Sequence, residues 1–79
     1  MDKELELWYN NQFDLFGLDG WKAIIEQAEE LKELYSNIQV LNTVEELWLN
    51  KGRLDIIDWI LSWESSVTDA HKELTDKDE

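Results

Sequence analysis

Apolar residues recur at spacings of three and four along most of this chain, which is the period of a helix that packs on one side. The first series is Leu5, Trp8, Tyr9, Gln12, Phe13 and Phe16. It predicts a helix over residues 3 to 16, and we expect Gly17 to end this helix in a left-handed conformation. Asp19 is expected to cap the next helix, because its side chain can accept bonds from the free amides that follow.

A second series predicts a longer helix over about residues 20 to 40. Its members are Trp21, Ile24, Ala28, Leu31, Tyr35 and Ile38, with Ile25, Leu34 and Leu41 at the edges. We expect Trp21 to lie in the core. On a helical wheel of about 100° per residue, four glutamates lie opposite this series and are predicted to form an acidic surface in contact with water. They are Glu26, Glu29, Glu30 and Glu33.

A third helix is predicted to begin with a capping box at Thr43 and Glu46. In this motif the Thr43 hydroxyl accepts from the amide of Glu46, and the Glu46 carboxylate accepts from the amide of Thr43. The apolar face changes direction at Gly52, which leaves two alternatives. Either the helix breaks at residues 50–52, or it continues, straight or kinked, with Gly52 allowing another backbone to approach closely. We favour the second alternative.

The apolar content falls after Trp63, where only Val67, Ala70 and Leu74 remain. We therefore expect exposed or frayed last turns and a disordered acidic tail over residues 75–79. The predicted fold is all-α, with residues 1–74 as a single domain. In this fold a short first helix lies across a long antiparallel hairpin of helices two and three. The result is a small three-helix bundle, or a four-helix bundle if the third helix breaks, and it is expected to self-associate.

The length of 79 residues limits how much of five tryptophans, two tyrosines and two phenylalanines can be buried. A chain of this size buries only about 60% of the surface that its unfolded form exposes. Homo-oligomerisation or a protein partner is therefore expected. Trp59 and Trp63 lie four residues apart on one helix face, a spacing that suits either the core or an interface. The predicted partner-binding residues are Trp59, Trp63, Ile56, Ile60 and Trp48.

The net charge of -12 argues against direct binding to nucleic acid or to anionic membranes, because both need a basic surface. Asp55, Asp58 and Ser62 form a polar strip on the tryptophan-rich helix, which is either an exposed strip or a contact for a basic partner. Arg53, or a lysine on another element, could pair with this strip. The chain shows neither a signal peptide nor an apolar run of about 20 residues, so we expect a soluble protein of the cytoplasm that is not secreted by a signal of its own.

Several short segments resemble small, acidic, helical proteins of tailed bacteriophages, a group mostly without assigned activity. These segments are Asp14-Leu15-Phe16, Gly20-Trp21-Lys22, Gly52-Arg53-Leu54, and Trp59-Ile60-Leu61 followed by Glu64. The resemblance covers about residues 8 to 65. It implies a component of the virion or of its assembly, or a small factor that acts on a host protein, and it provides no catalytic residue.

Three functions are compatible with these patterns. The first is a non-enzymatic module that binds a protein through its aromatic helix face, without a cofactor. The alternative is a DNA mimic, in which carboxylates replace phosphates and block a host nucleic-acid-binding protein. The third is an all-α nucleotide pyrophosphohydrolase, in which Glu26, Glu29, Glu30, Asp55 and Asp58 would hold magnesium. The glutamates oppose the apolar face, whereas metal ligands in a bundle project inward, so we predict no enzyme. The only histidine, His71, is expected to be a surface residue.

Overall fold

A computed structural model describes residues 1–37 and 42–77, and all the regular structure in these ranges is α-helix. The helices are α1 (Lys3–Phe16), α2 (Asp19–Tyr35) and α3 (Val44–Lys77), and each packs against the other two. The prediction of an all-α fold is confirmed, as are the limits of the first helix. The second helix ends at Tyr35, earlier than expected, and the predicted stretch 38–41 lies outside the described residues.

The connection between α1 and α2 is short, and neither Gly17 nor Leu18 has a positive φ. Gly17 has φ -83° and ψ -10°, so the expectation of a left-handed residue is wrong. Its amide and that of Leu18 donate to the carbonyls of Asp14 and Leu15, at 3.3 and 3.0 Å, which satisfies carbonyls at the end of α1 with tight i to i+3 bonds. Asp19 is also not a cap. It is the first residue of α2, where its negative charge interacts favourably with the helix dipole.

The start of α3 follows the predicted capping box with a shift of one residue. The Glu46 amide donates to the Thr43 hydroxyl at 3.0 Å, as expected. The Glu46 carboxylate, however, accepts from the amide of Asn42 at 2.7 Å and not from that of Thr43. Both bonds satisfy polar groups that a helix start leaves without an internal partner.

α3 runs without interruption through Gly52, so the alternative of a break at residues 50–52 is wrong. A Cβ atom added at Gly52 would meet no atom within 4 Å. The expected close approach of another backbone is therefore absent from the part of the chain that the structure describes. At 34 residues, α3 is about 51 Å long and accounts for the longest dimension of the molecule, 53 Å.

The core lies where α1 and the start of α2 meet the second half of α3. Its buried centre consists of Tyr9, Phe16 and Val67, and Val67 is only 3% exposed. Partly buried residues pack around this centre, namely Phe13, Leu15, Trp21, Trp63 and Leu74. The expectation of exposed or frayed last turns is therefore wrong, because α1 covers this part of α3. The helix also includes residues 75–77, which we expected in the disordered tail, whereas residues 78–79 lie outside the described ranges.

Polar contacts join the end of α2 to the first half of α3. The side chain of Asn50, which is buried, donates to the carbonyl of Tyr35 at the C-terminus of α2. Arg53 lies over the ring of Tyr35, with its guanidinium carbon 5.2 Å from the ring centre. Because the last carbonyls of a helix have no internal donor, the Asn50 amide supplies a bond that the end of α2 would otherwise lack.

The molecule is elongated, with a radius of gyration of 16.9 Å, whereas a compact chain of this length has about 12 Å. Its accessible surface is 6343 Å², about a quarter more than the roughly 5,000 Å² expected from its mass. In the described part of the chain no large side chain is completely buried. The three helices therefore leave more surface in contact with water than a compact bundle would.

Candidate docking surface

One face of α3 carries a continuous apolar series, and the described residues of α1 and α2 cover it at only one end. The series is Leu49, Gly52, Ile56, Trp59 and Trp63, spaced alternately three and four residues apart. This is the spacing of the contact positions in a coiled coil, which place side chains along one stripe. The same face continues beyond Trp63 with Val67 and Leu74, both of which pack in the core.

The covered end begins at Trp63. The indole Nε1 of Trp63 donates to the side-chain oxygen of Gln12 on α1 at 3.0 Å. Its ring also meets that of Trp8 edge-on, at 6.2 Å between ring centres. Trp63 was predicted to bind a partner, but the structure places it against α1, half-buried in the chain's own core. Ile60, also predicted to bind a partner, is half-buried as well.

No residue in the described ranges covers the other end of the series. We call Leu49, Gly52, Ile56 and Trp59 the bare seam. Leu49 is 57% exposed, Ile56 63% and Trp59 61%. Gly52 is exposed between them and leaves a notch in the stripe. Two of the predicted partner-binding residues, Ile56 and Trp59, thus lie side by side on an open apolar surface.

Trp48 lies at the edge of the bare seam and is 64% exposed. Its ring has the ammonium group of Lys51 at 5.4 Å from the centre. Trp59 makes a ring contact with Trp63 at 5.4 Å, so the bare seam is joined to the covered end by adjoining aromatic rings. Large aromatic side chains near the centre of an apolar patch are the residues that most often dominate binding between proteins.

Leu49 was not among the predicted partner-binding residues, and Gly52 was expected to lie close to another backbone. The spacing does indicate that Leu49 belongs to the series, since it is three residues before Gly52 and seven before Ile56. A glycine inside a helix costs about 1 kcal/mol relative to alanine. At Gly52 the described residues offer no neighbour that would explain the cost.

The polar residues near the bare seam are arranged on its flank. Asp58 forms an ion pair with Lys32 of α2 at 2.9 Å, so the expected pairing with a lysine on another element is confirmed. Asp55 is exposed, and the Ser62 hydroxyl donates to the carbonyl of Trp59 at 3.1 Å. Residues 47–60 contain two basic and two acidic side chains, so the segment is locally neutral in a chain of net charge -12.

The other predicted groups lie elsewhere. The four glutamates of the acidic surface, Glu26, Glu29, Glu30 and Glu33, are all exposed on α2. In residues 1–37 and 42–77 no three His, Cys, Asp or Glu side chains come close enough to hold a metal ion, so Asp55 and Asp58 do not join these glutamates in a site. His71 is half-buried and not a surface residue, because its ring packs 5.0 Å from those of Tyr9 and Phe13.

No helix in the described ranges is both long and apolar enough to cross a bilayer. No protein-family model matches the chain, and neither a curated protein nor a solved structure matches it significantly. The similarity to helical phage proteins stays a prediction from the sequence.

Proposed function

We propose that this protein is a non-enzymatic interaction module that binds a protein surface through the bare seam and Trp48. The observation that carries the proposal is the change along one face of α3, which is covered by α1 from Trp63 onward and open from Leu49 to Trp59. Keeping this surface in water is unfavourable by about 25 cal/mol for each Å² of apolar area. A protein that covered the surface would gain this free energy.

The proposal includes the context that the phage resemblance implies, a role in a virion, in its assembly or on a host protein. In this reading α2 and the first half of α3 form a long antiparallel hairpin that presents the bare seam, and the acidic surface of α2 maintains solubility. The ion pair between Lys32 and Asp58 and the bond from Asn50 to Tyr35 support a fixed position of α2 on this half of α3.

A photo-crosslinking experiment tests the proposal. Benzoylphenylalanine is introduced at Ile56 or, as the control, at Leu7, which is equally exposed at 61% but lies on α1. Both proteins are irradiated alone and in a lysate of the cells that naturally contain the chain. We expect discrete protein adducts from position 56 and none from position 7. The absence of adducts at position 56 under both conditions would contradict the proposal.

A second candidate function is DNA mimicry, which the exposure of all four glutamates on α2 favours. A mimic would compete with DNA for a basic protein, and its binding would fall as salt is raised. Replacement of Glu26, Glu29, Glu30 and Glu33 by glutamine would then abolish competition, whereas Trp59→Ala would leave it unchanged. The opposite pattern, sensitivity to Trp59→Ala alone, would rule the mimic out.

A further inference from the structure

We infer that the bare seam is covered by a second copy of this chain, which lies antiparallel to the first with the twofold axis at the level of Leu54. This inference rests on the proposed function, since it names the partner of the same surface. Closed twofold dimers are the most common assemblies of identical chains.

The first argument is the fit between large and small residues along the bare seam. A twofold axis at the level of Leu54 pairs a residue that comes before Leu54 in one copy with the residue that comes equally far after Leu54 in the other copy. Gly52 of one copy therefore faces Ile56 of the second. Leu49 faces Trp59 in the same way. The notch at Gly52, which the described residues leave open, would receive the Ile56 side chain, and this contact occurs twice. A parallel pairing would instead place Gly52 opposite Gly52 and leave a void.

The second argument is charge. Two copies with a net charge of -12 repel each other, but the facing segments are locally neutral. Salt also screens exposed charges beyond about 8 Å under physiological conditions. Lys51 and Asp55 lie on the same flank of α3. In the antiparallel arrangement the two Asp55 residues come close to each other across the axis, and each also has Lys51 of the other copy within about one helical turn, so this flank of the interface is neutral as a whole.

The third argument is area. The chain exposes roughly 1,300 Å² more than a compact protein of its mass, from 6343 Å² against about 5,000 Å². A stable interface buries about 800 Å² on each partner. The surplus of the whole chain is thus larger than the area that one partner buries in a stable dimer.

Sedimentation equilibrium of the full chain from low micromolar to millimolar concentration tests the inference. We expect a dimer whose dissociation constant rises at least about thirtyfold in Ile56→Glu, as for a central interface residue. Leu7→Glu removes an equally exposed apolar side chain and adds the same charge, so it should leave association unchanged. Circular dichroism checks that both variants keep their helices. A dimer that responds to Leu7→Glu and not to Ile56→Glu would overturn the inference.

Charge reversal at Lys51 and Asp55 tests the antiparallel orientation of the two copies. We expect Lys51→Glu to weaken association about two- to tenfold, as two exposed ion pairs are replaced by repulsion. The double variant Lys51→Glu with Asp55→Lys should restore it, because each pair is rebuilt with reversed signs between the copies. Failure of the double variant to restore association would overturn the antiparallel register.

The two proposals fail separately. If the chain is a monomer at every concentration while position 56 cross-links to a different protein, the second copy is the wrong occupant and the interaction module stands. If position 56 forms no adduct with any protein, including this one, both are wrong.

Discussion

The first half of α3 is richer in apolar residues than the second half, but the face that α1 covers lies in the second half. Val67 in the second half is 3% exposed beneath α1, whereas Trp59, only eight residues earlier, is 61% exposed. The difference arises because α1 is 14 residues long and covers only part of a 34-residue helix. An apolar residue on this face of α3 is therefore buried or exposed according to whether α1 covers it.

The largest expected effect is at the covered half. Phe16→Ala removes a buried ring from the core and should lower the free energy of unfolding by about 3–5 kcal/mol. This loss is a large part of the 5–15 kcal/mol that stabilises a typical domain. Urea denaturation followed by circular dichroism measures it, with the exposed Leu18→Ala as the control. A change below about 1 kcal/mol, usual for surface substitutions, would show that this core is not the main source of stability.

Asn50→Ala should have the next largest effect, a loss of about 1–3 kcal/mol. The substitution leaves the carbonyl of Tyr35 without the donor that now reaches it from a buried position. Asn11→Ala, at an exposed position of α1, is the matched control and should change stability by less than about 0.5 kcal/mol. Equal effects of the two substitutions in urea denaturation would mean that the contact of Asn50 with α2 contributes nothing.

Thr43→Ala should cost about 1 kcal/mol, because the amide of Glu46 loses its cap. Thr68→Ala makes the same chemical change at an exposed position inside α3 and should be neutral or slightly stabilising, since alanine favours helices. Hydrogen exchange would locate the loss in the first turns of α3. Faster exchange near Val67 in place of these turns would contradict the local role of the cap.

Trp59→Ala should have the smallest effect on folding, within about 0.5 kcal/mol for the monomer. The side chain is mostly in water, and its ring contact with Trp63 is a minor part of the packing. Urea denaturation at a concentration where the chain is monomeric measures this change. A loss comparable to that of Phe16→Ala would mean that Trp59 belongs to the core, which would remove the contrast between the two halves.

Local features of this fold were predictable from the sequence. The period of apolar residues gave the limits of α1, and the pair of Thr43 and Glu46 gave the start of α3, because both depend on residues within a turn or two. The indole N–H of Trp63 donates a hydrogen bond to the side chain of Gln12, which is far away in sequence, and no local spacing indicates such a contact. For the same reason the burial of Val67 and His71 could not be predicted, since it depends on where α1 lies.

The contrast between the halves of α3 can be measured directly with 5-fluorotryptophan. The effect of D₂O on each ¹⁹F resonance reports the exposure of that tryptophan, and single substitutions assign the five signals. At a concentration where sedimentation shows a monomer, we predict large solvent shifts for Trp48 and Trp59 and small ones for Trp21 and Trp63. Equal protection of all five tryptophans in the monomer would contradict the existence of an open apolar surface on the first half of α3.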